Sequence, residues 1–287
     1  MNNLKTLIFG VGEITNLLIK ELILKDKKVL CVTDNSFNQI DNLSHANLEI
    51  LSYKEILSKK LEVDKVIFSW KDTNRLNNDN QSIRKWLESH MFQANKSFHL
   101  SSASVYKDSN APQDESCTIL ENNKKLELEY ILKEITLKKG LIHTDLRISN
   151  VYGIDISYGF IGSLFNSIRY GNEVGILQNL NITRDYIHVS DVIYAIQMLL
   201  EINTNVDCLN ISTGIGTSIS KVLEIFASKG YNFKNRIELS NNLKVKTNSI
   251  LDCKNLVEVI NWQPSSLTQV LNKLLPINST KPIKVRD

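Results

Sequence analysis

Apolar and polar positions along this chain come in blocks. Residues 4–9 and 28–33 are short, nearly continuous apolar runs, the pattern of strands buried on both faces, and between them residues 13–24 carry apolar side chains at helical spacing. Residues 48–51, 63–69 and 98–102 read as further strands, with helices at 53–60 and 81–90, then a long charged helix at 118–137 and another strand at 141–148. Strands alternating with helices predict parallel pairing with both faces covered: an α/β fold built on a doubly wound parallel sheet.

After Gly153 the rhythm changes. A helix over 159–170 and a short strand over 174–177 precede a mixed remainder, so residues 154–287 read as a smaller α/β lobe and residues 1–153 as the doubly wound one. A helix at 191–200 and a strand at 208–211 are expected to return to the first lobe, placing 188–212 with it. In open parallel sheets a ligand lies beyond the C-terminal strand edges, where a second lobe can close over it.

Composition narrows the function classes. A net charge of +3 over 287 residues argues for neither nucleic acid nor a membrane surface as partner, and no run approaches the roughly 20 apolar residues that span a bilayer. The chain enters its first strand almost at once, leaving no room for a signal peptide, and Cys31, Cys117, Cys208 and Cys253 form no Cys-x-x-Cys pair. The expectation is a cytoplasmic protein without a metal site.

The first candidate chemistry is Gly10-Val11-Gly12-Glu13-Ile14-Thr15, which follows a strand and opens a helix. Glycines there allow a tight turn and let backbone N–H groups approach a pyrophosphate at a positive helix end; otherwise they only punctuate a turn. Gly10, Gly12 and Ile14 are the candidate cofactor-binding residues, with Thr15 standing where the third glycine of the dinucleotide fingerprint falls. Asp34 ends the second strand, about 20 residues on, where a carboxylate accepts from both ribose hydroxyls and repels a 2′-phosphate. NAD is therefore expected rather than NADP.

Five further segments, in order, carry a family resemblance: Ser101-Ser102-Ala103-Ser104-Val105-Tyr106, Arg147-Ile148-Ser149-Asn150-Val151-Tyr152-Gly153, Arg184-Asp185-Tyr186-Ile187-His188-Val189-Ser190-Asp191, Asn210-Ile211-Ser212-Thr213-Gly214 and Asn261-Trp262-Gln263-Pro264. With the glycine loop they resemble the extended short-chain dehydrogenase/reductase family, of the NAD-dependent epimerase/dehydratase type that acts on nucleotide sugars. The resemblance implies that Ser102 hydrogen-bonds the reacting sugar oxygen, that Lys125 binds the nicotinamide ribose, and that Asn150 and Arg184 grip the nucleotide diphosphate between the lobes. Lys244 or Lys246 is a second candidate for that diphosphate. Asp185 and His188 are read as structural, and Asn80 resembles the family's structural asparagine. Helices 118–137 and 81–90 are the candidate homodimer surface.

One element departs from the family. Its chemistry needs Tyr-x-x-x-Lys on one helix face, and four residues before Lys125 stands Glu121. Glu121 is the carboxylic candidate for the proton donor, against a solvated position, while Tyr130 is expected to pack with Leu126 and Ile131. Two readings follow: a nucleotide-sugar reductase or epimerase acting at a 4-keto-6-deoxyhexose, in the chemistry of polysaccharide biosynthesis, or a catalytically impaired NAD-binding sensor or interaction protein on the same fold.

Overall fold

The computed structural model describes residues 5–33, 45–71, 73, 76, 81–109, 111–171, 174–177, 180–233, 237–240 and 248–276. Asp34, Asn80, Lys244 and Lys246 lie outside the described residues.

In chain order the first elements are β1 (Lys5–Phe9), α1 (Glu13–Leu24), β2 (Lys28–Thr33), β3 (Leu48–Ser52), α2 (Tyr53–Ile56), β4 (Leu61–Glu62), β5 (Lys65–Phe68), α3 (Gln81–Glu88), β6 (Phe92–Gln93) and β7 (Lys96–Ser102). Next come α4 (Lys124–Lys138), β8 (Ile142–Ile148), β9 (Asn150–Tyr152), α5 (Gly159–Tyr170), β10 (Val174–Leu177), β11 (Thr183–His188), α6 (Val189–Glu201) and β12 (Cys208–Ile211). The last are β13 (Gly216–Ser218), α7 (Ile219–Ser228), β14 (Ile237–Ser240), β15 (Asn248–Ser249), α8 (Lys254–Ile260) and α9 (Leu267–Leu274).

Two compact units divide the chain. The first comprises Met1–Val105, Thr118–Arg147 and Ile193–Leu209. Its seven-stranded sheet has the order β12-β8-β7-β5-β1-β2-β3, and the pairs β3–β2, β2–β1, β1–β5 and β5–β7 run parallel. The chain winds outward from β1 to β3, then crosses back to place β5 on the other side of β1. That reversal is the topological switch point at which sheets of this kind hold ligands. The strands read as unbroken apolar runs because both faces are covered. Leu7, Phe9, Leu30, Val32, Val66 and Phe68 are buried with Trp86 of α3 and Leu128, Leu132 and Ile135 of α4, each such side chain contributing about 1.5–3 kcal/mol.

Two helices differ from their sequence-based expectation. The helix expected over 53–60 is the single turn α2, closed by a reciprocal Ser52–Glu55 cap. The one expected over 118–137 begins at Lys124, because Asn122 adopts a left-handed φ of 59° and Asn123 caps the helix through Oδ1, which accepts from the amides of Lys125 and Leu126. Glu121 therefore lies in an exposed turn ahead of α4. Tyr130 does not pack: it is 59% exposed, because the buried face of α4 is set by Leu128, Leu132 and Ile135.

The second unit comprises Tyr106–Cys117, Ile148–Val192 and Asn210–Asp287. Its backbone centres on β11, which pairs parallel with β9 and β15 and antiparallel with β13. Its core joins Ile161, Leu164 and Phe165 of α5, Val222 and Phe226 of α7, and Leu267 and Leu271 of α9. The division begins this unit at Ile148 rather than after Gly153, and adds Tyr106–Cys117, whose Gln113 bridges Leu251. Among the described residues no helix is long and apolar enough to cross a membrane.

Candidate functional site

In the first unit the glycine loop sits at the switch point. Gly10, at φ 85°, donates its N–H to the Val32 carbonyl at 2.9 Å. A Cβ added there would lie 3.0 Å from the Ser69 carbonyl oxygen and 3.3 Å from Trp70 Cδ1, so only glycine lets the loop pass the end of β5. A Cβ added at Gly12 would meet nothing within 4 Å, which leaves open space above the start of α1. Thr15 is fully buried, accepts the Gly12 N–H at 2.8 Å, and has its hydroxyl 3.3 Å from the Gly10 carbonyl oxygen. The third glycine of the fingerprint is thus replaced by a residue that ties the loop to itself. Half-buried Ile14 lies in the first turn of α1, at the positive end of the helix and next to that open space, an arrangement that fits a pyrophosphate. Beside the loop, Trp70 Nε1 donates to the Tyr53 hydroxyl at 2.7 Å.

Ser102 ends β7, half-buried, and its Oγ accepts from the Ser104 amide at 3.2 Å. Asn123, the cap of α4, donates Nδ2 to the Ser104 carbonyl at 2.8 Å while its Oδ1 accepts the Lys125 amide at 2.9 Å. The turn carrying Ser102 and the turn carrying Lys125 are thereby joined through one side chain. Burial, reinforced by Lys71, lowers the pKa of the half-buried Lys125 ammonium. Glu121 is not brought into this group by the helix, since it precedes the cap.

Sequence reasoning missed what lies under α4. Glu129 is 3% exposed; it takes Arg147 Nη2 at 2.8 Å and Nε at 3.3 Å, and accepts from the Ser101 hydroxyl. Further along the same face of β7 and β8, Ser97 Oγ meets His143 Nδ1 at 2.8 Å and His99 Nδ1 meets Asp145 Oδ1 at 2.9 Å. Burial pushes Asp145 up, but the His99 hydrogen bond and the approach of His143 Nε2 to 3.4 Å outweigh it and hold the carboxyl at about 2. The one signal for this strip was polar residues at alternate positions inside two otherwise apolar strands.

The second unit holds the other predicted residues. Arg184 is half-buried on β11, donates Nη1 to the Thr183 carbonyl at 3.0 Å, and has its pKa lowered by burial against the pull of Tyr186 and Asp108. Asn150 spends its Nδ2 on the Asp185 carbonyl at 3.0 Å. Asp185 is fully buried and accepts from Thr213 Oγ1 at 2.7 Å, the Thr213 amide at 3.0 Å and the Gly214 amide at 2.9 Å. Burial pushes its pKa up to about 6 against those bonds. His188 bonds Ser190 Oγ at 2.6 Å at the start of α6. Asn210, unassigned by the sequence reading, is a hub: its Oδ1 accepts from Tyr106 at 2.7 Å and its Nδ2 donates to the carbonyls of Gln113 and Asp252.

A polar cavity of about 670 Å³ lies at the N-terminal strand ends of the first unit, lined by Lys5, Asp64 and His90 among others. That is the opposite sheet edge from the glycine loop, so it has no part in the site above.

Comparison with known proteins places this arrangement. Over residues 8–212 the chain matches the profile of the family described as "NAD dependent epimerase/dehydratase family". It is 32% identical over 143 residues to dTDP-4-dehydro-6-deoxyglucose reductase of Escherichia coli, a stretch covering 48% of this chain and 44% of the relative, so the match spans under half of that relative's length. The fold is shared with dTDP-glucose 4,6-dehydratase (DesIV) from Streptomyces venezuelae, solved with NAD and TYD bound, at a TM-score of 0.79 and 14% identity, covering 94% of this chain and 95% of that one. It is shared equally with UDP-glucuronic acid 4-epimerase from Bacillus cereus, in complex with UDP-glucuronic acid and NAD, at 0.78 and 16%, covering 93% and 96%. With the glycine loop at the switch point, Ser102 at a strand end and a profile match across most of its length, the chain belongs to the NAD-dependent epimerase/dehydratase family.

Proposed function

We propose that this chain is a cytoplasmic NAD-dependent oxidoreductase that reduces, or epimerises, a 4-keto-6-deoxyhexose carried on a nucleoside diphosphate. The observation that carries the reading is the loop at the switch point: open space over Gly12 at the start of α1, and Ser102 and Lys125 linked through Asn123. The 32% identity to a dTDP-4-dehydro-6-deoxyglucose reductase supports reduction over the other chemistries of the family.

In this reading Gly10, Gly12 and Ile14 seat the pyrophosphate of the cofactor, Asp34 takes the adenosine ribose, and Lys125 faces the nicotinamide ribose. The reduced nicotinamide supplies hydride when bound. Ser102 Oγ holds the sugar carbonyl oxygen, while Arg184 and Asn150 bind the diphosphate of the substrate, a task for which a guanidinium fork is suited.

The test is purified protein with NADH and a panel of keto-sugar nucleotides, followed by loss of reduced-cofactor absorbance. Turnover that disappears in Ser102→Ala, and a raised KM for the sugar nucleotide in Arg184→Ala, are the expected results. Tight NADH binding with no turnover on any sugar would instead favour the sensor, the reading to which Glu121, exposed in its turn, lends weight.

A further inference from the structure

With Glu121 ahead of the helix cap, the motif supplies no proton donor, and the described tyrosines of the first unit do not fill the gap. Tyr53 accepts from Trp70, and burial pushes its hydroxyl up to about 12. Tyr130 and Tyr194 lie on exposed helix surfaces, at 59% and 43% exposure.

Lys125 is different. It sits half-buried in the first turn of α4, over the positive end of a helix, where an ammonium is disfavoured. Glu129, one turn along, cannot neutralise it, because its carboxylate is already shared between Arg147 and Ser101. Among the described residues no carboxylate pairs with Lys125 Nζ, and the charged neighbour acting on it is another cation, Lys71. Its backbone is tied to the Ser102 turn through Asn123 and Ser104, in three hydrogen bonds of 2.9, 2.8 and 3.2 Å.

We propose that Lys125 is itself the proton donor, in place of the absent tyrosine. This rests on the reductase reading above. As hydride from the reduced nicotinamide forms the new C–H bond at the carbonyl carbon, the C=O π pair moves onto oxygen. That oxygen, held by Ser102, takes a proton from Lys125 as its N–H bond breaks. The product is an alcohol, the nicotinamide is left oxidised, and the neutral amine regains a proton from water. An acid is most effective when its pKa lies near the working pH, and desolvation beside a second cation moves a lysine that way.

The test has two arms. In the protein without cofactor, lysines are labelled with a limiting acylating reagent across a pH series and read by fragment-ion mass spectrometry. Lys125 is expected to become reactive at lower pH than exposed Lys124, with the gap narrowing in Lys71→Met. In the second arm Lys125→Arg keeps the charge but not the acid. Its kcat, measured at saturating NADH, is expected to fall at least 100-fold, the lower range for general acid catalysis. Identical labelling profiles for Lys125 and Lys124, or an active Lys125→Arg enzyme, would overturn the proton assignment alone. Wild-type protein that binds NADH yet reduces no keto-sugar nucleotide would overturn the reductase reading and this assignment with it.

Discussion

Two buried aspartates, one in each unit, shift in opposite directions. Burial raises both, yet Asp145 in the first unit is held at about 2 by the imidazoles of His143 and His99, whereas Asp185 in the second unit, answered by Thr213 and Gly214 donors, rises to about 6. Contacts from the imidazoles of His143 and His99 outweigh burial at Asp145, while the hydroxyl and amide donors at Asp185 do not. The first unit buries compensated ions between two strands and a helix, and the second buries a carboxyl that organises a turn. The same residue type therefore confers opposite pH dependence on the two units.

The comparison is challenged most severely at Arg147. Arg147→Met leaves Glu129 buried beside only a hydroxyl, and should destabilise the first unit by about 3–5 kcal/mol, the cost of breaking a buried pair from one side. Urea unfolding followed through Trp70 and Trp86, both in the core of this unit, measures it. Losing less than 1 kcal/mol would mean that the pair is not buried as described.

A smaller effect is expected at Asp145. Its folded pKa lies below the ordinary 3.8, so its stabilisation is complete above that value and is lost as pH falls towards 2. Asp145→Asn should cost about 2–3 kcal/mol at neutral pH and flatten the acid limb of the urea midpoint against pH.

Asp185 should show the reverse sign. With a folded pKa near 6 against 3.8, its contribution is present at low pH and lost as pH rises through 6. Hydrogen exchange resolved to β11 and the Thr213 turn should show protection falling over that window in wild type and not in Asp185→Asn. Thr213→Val, which deletes one uncharged donor, should cost only about 1 kcal/mol and move that fall to still higher pH. A low titration point for Asp185 in wild type would erase the contrast.

How much of this could be read from the chain depends on whether a residue's partner was near in sequence. Strands β1, β2, β3, β5 and β7, the glycine turn and α1 were legible because burial on both faces writes itself as apolar runs, and a tight turn writes itself as glycine. The start of α4 was not, because Asn122 and Asn123 look like any polar residues within a charged helix until one takes a left-handed turn and the other caps. Glu129 takes its meaning from Ser101 and Arg147, which are 28 and 18 residues away. His99 and Asp145, 46 residues apart, looked like interruptions of two strands and are a pair only in the folded sheet.

The discontinuity of the first unit has a consequence for biosynthesis. Strand β12 forms the outer rim of its sheet beyond β8, yet it is translated after α5 and β11 of the other unit. Until Cys208–Ile211 leaves the ribosome, β8 presents unpaired backbone amides and carbonyls, the template on which nascent chains associate wrongly. Completion of the first unit is thus postponed to a late moment of synthesis. A fragment cut near residue 150 would expose a sticky border and should require a chaperone, or aggregate.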